Sequence, residues 1–399
     1  MSRDIVTGLD IGTHSIKGLV AQRKGNGWEV LSYAEIPSFG LRKGAVVSIE
    51  ETSKNIQMII SGMEKECNRK INSAFVNING SHIYVTPSDG IISVSRADQR
   101  ISGEDVERVL QATRAINIAS KNDEILDVIP KEFIIDDQKG IKQPENLTGI
   151  RLEAKVLLLC YFQPYFTNLT QSLISSKIQI RDVIPSPLAA ANAVLTPQQK
   201  ELGVALIDFG AYTTSLAVFE EGSLIHLAIF PIGSANITND IAIGLRTEVA
   251  VAESIKKQHG TCMKDLSKKK IEIFDGSSVI DFTKKDLVDI IEPRVSEILD
   301  LIQKELKKIN RQELLPGGIV LTGGGAKMPK IKEFTKNILK LPCQIGVPKG
   351  ILGIQDDPTL ATVVGLTLEG VDFNPEEGIL RPIKGWGSKL KKWLKNFIP

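Results

Sequence analysis

No apolar run in this sequence approaches the roughly 20 residues that cross a bilayer, and its beginning, MSRDIVTGLD, lacks the basic stretch and apolar core of an export signal. The chain is therefore expected to be neither exported nor membrane-spanning. Cysteine is scarce: Cys67, Cys160, Cys262 and Cys343 stand apart without C-x-x-C spacing. That pattern excludes a disulfide framework and a thiolate zinc site, and it suits reduced thiols in a cytosol. The four histidines, His14, His82, His226 and His259, are equally scattered. An excess of one charge is missing too. The formal charge is +2, and because Lys384 to Pro399 holds five lysines and no acid, the body carries −3. A basic body that binds nucleic acid is disfavoured. At 399 residues the chain exceeds one usual core, so two lobes with subdomains are expected.

What is present is a duplication. Ile5 to Lys17, IVTGLDIGTHSIK, reads as an apolar strand that ends on Asp10, turns through Gly12 and enters a second strand. Val204 to Ser215, VALIDFGAYTTS, repeats it with Asp208, Gly210, Thr213 and Thr214. Each copy continues as a strand pair broken by a glycine turn, Gly18–Arg23 with Trp28–Ile36 and Leu216–Phe219 with Leu224–Phe230. Such turns point several backbone N–H groups outward, glycine lets a phosphate come close, and the hydroxyls of Thr13, Ser15, Thr213 and Thr214 add donors. An acid at each strand end can hold hydrated Mg2+, which keeps waters and needs only one or two carboxylates. Facing turns imply a nucleotide between two lobes. A third stretch, Gly317 to Ala326 (GGIVLTGGGA), is a strand running into Gly323, Gly324 and Gly325, followed by Pro329 and a helical pattern to Leu339; it suits a phosphate or the flat face of an adenosine.

These motifs resemble the signature of the actin, Hsp70 and sugar-kinase superfamily: a first phosphate loop (Asp10, Gly12, Thr13, Ser15, Lys17), a second (Asp208, Gly210, Ala211, Thr213, Thr214) and an adenosine loop (Gly323, Gly324, Gly325, Ala326). Their order and spacing are most similar to the FtsA family of bacterial cell-division actin homologues, over roughly Ile5 to Gly370. The resemblance implies an α/β, two-lobed actin/Hsp70-like fold of duplicated ribonuclease H-like domains, carrying an FtsA-type 1C insertion and a C-terminal amphipathic helix. It divides the chain into 1A (1–83 and 162–200, with a return helix near 358–371), 1C (84–161), 2A (201–240 and 311–357) and 2B (241–310), then a linker (372–384) and a membrane-targeting helix (385–399). It implies ATP and Mg2+ as cofactors, with Asp10 and Asp208 as the catalytic and metal-holding acids. Gly233, in PIGSAN, belongs to the nucleotide site in the same way. Ala252, Glu253 and Lys256 resemble the family's AExxK segment, whose acid and lysine reach the ribose; Glu and Lys three apart are equally a common surface pair. The second loop departs from the family pattern. Ala211 and Tyr212 stand where glycines are usual and Ser215 replaces an aspartate, which puts hydrolytic competence in doubt.

Between the motifs, helical spacing marks Ile49–Cys67, an amphipathic helix from Ser102 through Ile118 with Ser102 and Asp105 as a capping box, Phe166–Ser176, Ile237–Leu245, Thr247–His259 and Lys284–Ile309. Strands are expected at Ala74–Ile78, Ile91–Arg96 (IISVSR), around Ile125–Ile135 and Ile150–Leu159, and at Ile271–Phe282. The alanines of PSPLAAANAVL should let that helix pack close to another element. The resemblance assigns 1C to contacts along a filament and with later division proteins, and 2B to the acidic C-terminal peptide of the tubulin homologue FtsZ, with Arg294 nominated to meet it.

The tail, Lys384 to Pro399, follows a polar, proline-containing linker expected to be flexible. At about 100° per residue, Trp386, Leu390, Trp393, Leu394, Phe397 and Ile398 fall within an arc of roughly 140°, flanked by Lys389, Lys391, Lys392 and Lys395. Two of the chain's three tryptophans lie here. The pattern is that of an interfacial helix on an anionic membrane surface, at the cytoplasmic face. A single such helix binds reversibly, and self-association multiplies it by avidity.

Three functions compete. The first is an ATP-binding cell-division scaffold that polymerises under the membrane, tethers the FtsZ ring and recruits later divisome proteins, with at most slow hydrolysis. A small-molecule kinase of the same superfamily would need a base near an acceptor hydroxyl, which no residue outside the phosphate loops supplies. A homologue of the pilus-assembly actin PilM would share the core but normally lacks such a tail. An Hsp70-like chaperone would need a peptide-binding domain for which there is no room.

Overall fold

The computed structural model describes residues 5–371 apart from 26, 116–120, 264–269 and 276–277. The expected linker and tail helix lie outside the described residues. No described helix is long and apolar enough to cross a membrane.

Two five-stranded sheets of the same design form the frame. The first is built from β1 (Ile5–Ile11), β2 (Ser15–Lys24), β3 (Gly27–Pro37), β6 (Ser73–Ile78) and β11 (Gln179–Pro185) in the order β11-β6-β1-β2-β3. The short β4 (Leu41–Arg42) and β5 (Ala45–Val46) pair beside it. The second sheet is built from β12 (Val204–Phe209), β13 (Thr214–Glu220), β14 (Ser223–Phe230), β17 (Ile319–Thr322) and β18 (Cys343–Ile345) in the order β14-β13-β12-β17-β18. In each, three antiparallel strands are followed by two parallel ones. The duplicated motif is thus the centre of a duplicated topology.

Helices cover the sheets: α1 (Ile49–Cys67), α3 (Gln163–Ser175), α4 (Ser186–Val194) and α5 (Pro197–Leu202) come from the first half, and α10 (Ala361–Val371) returns to it. Helices α6 (Ser234–Leu245), α7 (Val249–His259), α8 (Lys284–Lys308) and α9 (Ile331–Leu339) belong to the second, with the hairpin β15 (Lys270–Asp275) and β16 (Ser278–Thr283). Apart from Asp208 near its end, strand β12 is apolar because both faces are covered. Val204 and Leu206 join a core shared with the first lobe, whereas Ala205, Ile207 and Phe209 face the core beneath α6 and α8.

Residues 83–162 form a separate four-stranded sheet, β7-β10-β8-β9, from β7 (Ile83–Ser93), β8 (Asp123–Ile135), β9 (Gln138–Ile141) and β10 (Arg151–Phe162), with α2 (Gly103–Ala112) on one face. The Ser102–Asp105 capping box is formed. The expected helix to Ile118 is shorter, because α2 ends at Ala112 and the Thr113 hydroxyl turns back to donate to Leu110 O at 2.7 Å. This sheet also leans on the second lobe. Strands β7 and β8 touch β14, Leu157 and Tyr161 share the core of Leu206 and Phe219, and Lys142 pairs with Glu221 at 3.2 Å.

Candidate functional site: a cleft between two acid-and-glycine turns

Strands β1 and β12 each deliver an acid to the same cleft of about 910 Å³, within the range of roughly 300–1,000 Å³ usual for small-molecule sites. The turns that follow are closed alike: Gly12 N–H donates to Ser15 O at 3.2 Å, and Gly210 N–H donates to Thr213 O at 3.0 Å. Register then separates the copies. Asp10 stands opposite Lys17, whose ammonium donates to Ser15 Oγ at 3.1 Å and lies 3.6 Å from Glu35. Asp208 stands opposite Ser215, which supplies no charge and whose buried Oγ has no partner among the described residues.

Both acids hold their protons more tightly than usual. Burial pushes Asp10 up, Lys17 offsets part of the rise and Glu35 adds to it. Burial pushes Asp208 up to about 6, with the Asp10 charge adding and Lys17 opposing. Two sunken carboxylates served mainly by one lysine make a site short of positive charge, which a divalent cation would complete.

Most of the nominated residues line this one cleft: Asp10, Gly12, Thr13, Ser15 and Lys17 from the first turn, Asp208, Gly210, Ala211 and Thr213 from the second, Glu253 and Lys256 from α7, and Gly323, Gly324 and Gly325 after β17. The glycines of the last group serve different ends. A side chain on Gly323 (φ +82°) would stand 2.3 Å from Asp208 Oδ1, and one on Gly325 would strike the Phe209 ring at 2.5 Å. Only Gly324 is bare toward open space, so two of the three glycines exist to pack against the end of β12. Gly324 and Gly325 open a single 3-10 turn, Gly324–Lys327, capped by Gly323, and Pro329 precedes α9 rather than starting it.

Three nominated residues do not line the cleft. Thr214 alternates away from Thr213 on β13, is fully buried, and donates its hydroxyl to Ile232 O at 2.8 Å. Gly233 lies behind the second turn as the N-cap of α6, whose first N–H groups are already taken by Gly210 O (2.9 Å) and Ala211 O (2.8 Å). Ala326 is buried in the second core. Lys256 does line the cleft, yet it is committed: its ammonium donates to Ser234 O (3.0 Å) and Thr238 Oγ1 (2.7 Å) and pairs with Glu253 (2.7 Å). It braces α7 to α6, and Glu253 is engaged as well, accepting from Thr238 Oγ1 and pairing with Lys257 at 3.3 Å. Tyr212, 41% exposed, stands at the cleft wall. Arg294 is turned inward, forking onto Asp240 at 2.6 and 2.9 Å and contacting Glu297, so its charge is spent holding α8 to α6.

Sequence reasoning passed over Asn77. It is buried at the end of β6, accepts from Ile11 N–H at 2.6 Å, and donates to Asp10 Oδ1 (2.8 Å) and Ser186 Oγ (2.9 Å). An apolar strand interrupted by one asparagine was the available signal. Lys257, Lys327 and Asp357 also line the cleft, the last two as an ion pair at 2.7 Å.

Comparison with known proteins places this geometry. Residues 205–365 match the family described as "Cell division protein FtsA", and residues 80–160 match the "SHS2 domain inserted in FTSA". The chain is 34% identical to the cell division protein FtsA of Pseudomonas aeruginosa, over 99% of this chain and 98% of that one. It is 36% identical to that of Bacillus subtilis, over 92% and 83%. Among solved structures, the PilM-PilN type IV pilus biogenesis complex covers 92% of this chain and 99% of its own at a TM-score of 0.67 and 17% identity. MreB5 of Spiroplasma citri bound to ADP covers 98% and 99% at 0.57 and 14%. The latter two likenesses establish the actin-like fold, and the near full-length sequence identities establish more: this chain belongs to the FtsA family of actin-like cell-division proteins.

Proposed function

We propose that this chain is a nucleotide-dependent scaffold of the division site: it binds ATP with Mg2+ in the cleft, polymerises at the cytoplasmic face of the membrane, and tethers the FtsZ ring there. The observation that carries the reading is the pair of hydrogen-bonded acid-and-glycine turns facing one cleft. Outward N–H groups and the hydroxyls of Thr13 and Thr213 would hold phosphates, Glu253 would accept ribose hydroxyls, and Gly324 would lie under the base. Asp10 and Asp208 would hold Mg2+, which would supply positive charge to offset the acids and the phosphates. Asp10 is kept in place by Asn77 and balanced by Lys17. Any hydrolysis is slow, since Ser215 offers no carboxylate opposite Asp208.

The division into 1A, 1C, 2A and 2B belongs to the same proposal, with 1C meeting neighbouring subunits and later division proteins, and 2B meeting the FtsZ peptide through cations other than the committed Arg294. The tail from Trp386 would lie on anionic lipid. Titration of the full chain with ATP in the presence of Mg2+ tests the reading. We expect binding that Asp10→Asn weakens by about tenfold or more, the scale of a lost charge-assisted contact. A full chain that binds no ATP would overturn it.

A further inference from the structure

The end of β6 and the residue after it, Asn77-Ile78-Asn79, reach both phosphate turns. Asn77 holds Asp10 of the first. Asn79 Oδ1 accepts from Gly80 N–H at 2.8 Å, which fixes the amide so that Nδ2 donates across the cleft to Thr213 Oγ1 in the second turn at 3.2 Å. Thr13 is served in the same manner, its Oγ1 accepting from Gly44 N–H at 2.8 Å. A hydroxyl whose oxygen already accepts from the protein keeps its proton to donate elsewhere. Both threonine protons are thereby left for an anionic oxygen between the turns.

We propose that Asn79 is a positioning residue for the terminal phosphate of the bound nucleotide. Its bond to Thr213 runs from the first lobe into the second, so it presets both the spacing of the turns and the direction of the Thr213 hydroxyl. The terminal phosphate of a triphosphate is the group both turns must grip together, and a spacing already set removes part of the cost of gripping it. A diphosphate lacks that group and draws little from the bond. Asn79 therefore sets the preference for triphosphate over diphosphate rather than nucleotide affinity in general. The inference rests on the nucleotide reading given above.

A double-mutant cycle on the full chain tests it, with Asn79→Ala, Thr213→Val and the pair titrated with Mg·ATP and Mg·ADP by calorimetry, alongside melts without nucleotide. Asn79→Ala should lower the ratio of ATP to ADP affinity roughly three- to tenfold, the worth of one net hydrogen bond. The pair should fall no further than Thr213→Val alone. Asn79→Asp keeps the shape but draws the Thr213 proton toward itself; it should lower the ratio at least as far, and it carries the comparison if Asn79→Ala does not fold. An unchanged ratio in the Asn79 variants, additive losses, or equal weakening of ATP and ADP with a parallel drop in melting temperature would each reduce Asn79 to a structural contact and overturn the proposal. Loss of nucleotide binding in the unmutated chain is a different result, which removes the nucleotide reading first.

Discussion

Asp208 is costly to the empty protein, and that cost is a measure of what it is kept for. In the unfolded chain its carboxyl titrates near 3.8, and burial beside Asp10 pushes it up to about 6. The folded state therefore binds this proton more tightly. The stability the group contributes is complete below the unfolded value and is lost as pH rises through the folded one. At neutral pH the buried charge opposes folding by up to about 3 kcal/mol. Asp208→Asn should raise the melting temperature of the nucleotide-free protein at neutral pH and flatten its dependence between pH 4 and 6, while ATP binding is lost; melts across pH check the first and titration the second. If the variant melts lower than the parent at neutral pH, the carboxylate is stabilising and the site is not the charge-starved pocket described. The acids were legible because an apolar run that stops on aspartate, with glycine two residues on, is ordinary once but occurs twice in this chain. Of the two neighbouring hydroxyls nominated, Thr213 lines the cleft and Thr214 turns away from it, since successive side chains entering β13 face opposite ways.

At the scale of elements, periodicity found most helices within a few residues, and caps explain the ends. Helix α1 is capped by Ser48, whose side chain accepts from Glu51 N–H, and closed by Asn68 in the left-handed conformation. The alanine-rich α4 does pack closely on a neighbour, and the neighbour is α10. Ala189, Ala190 and Ala191 are buried, and a side chain on Gly365 would stand 1.7 Å from Ala189 O. No side-chain rotation relieves a clash with backbone, so Gly365→Ala should cost about 3 kcal/mol by forcing the two helices apart. Urea denaturation measures it, and a loss under 1 kcal/mol would show that the α4–α10 contact is looser than described. Small residues on α4 announced a close approach without naming a partner, because the complementary glycine lies far along the chain.

At the scale of the molecule, one apolar cluster takes residues from both lobes and from the 83–162 sheet, so these parts are joined by packed side chains rather than by a free linker. The tail lies outside the described residues, and we propose that it acts independently of the body. Removing Trp386 to Pro399 should abolish co-sedimentation with anionic vesicles and leave ATP affinity unchanged. If the shortened protein still pellets with vesicles, the membrane contact lies on the body instead.

Apolar alternation, turn glycines and the repeated acid are local properties, and local sterics and burial made them readable along the chain: the strands, most helices, the duplication and the two carboxylates follow from the sequence alone. Which hydroxyl faces the cleft, that Lys256 and Arg294 are already paired, and that Asn77 and Asn79 reach both turns were decided only in three dimensions. Each depends on what stands opposite a side chain, and those partners come from strands and helices as much as 134 residues away.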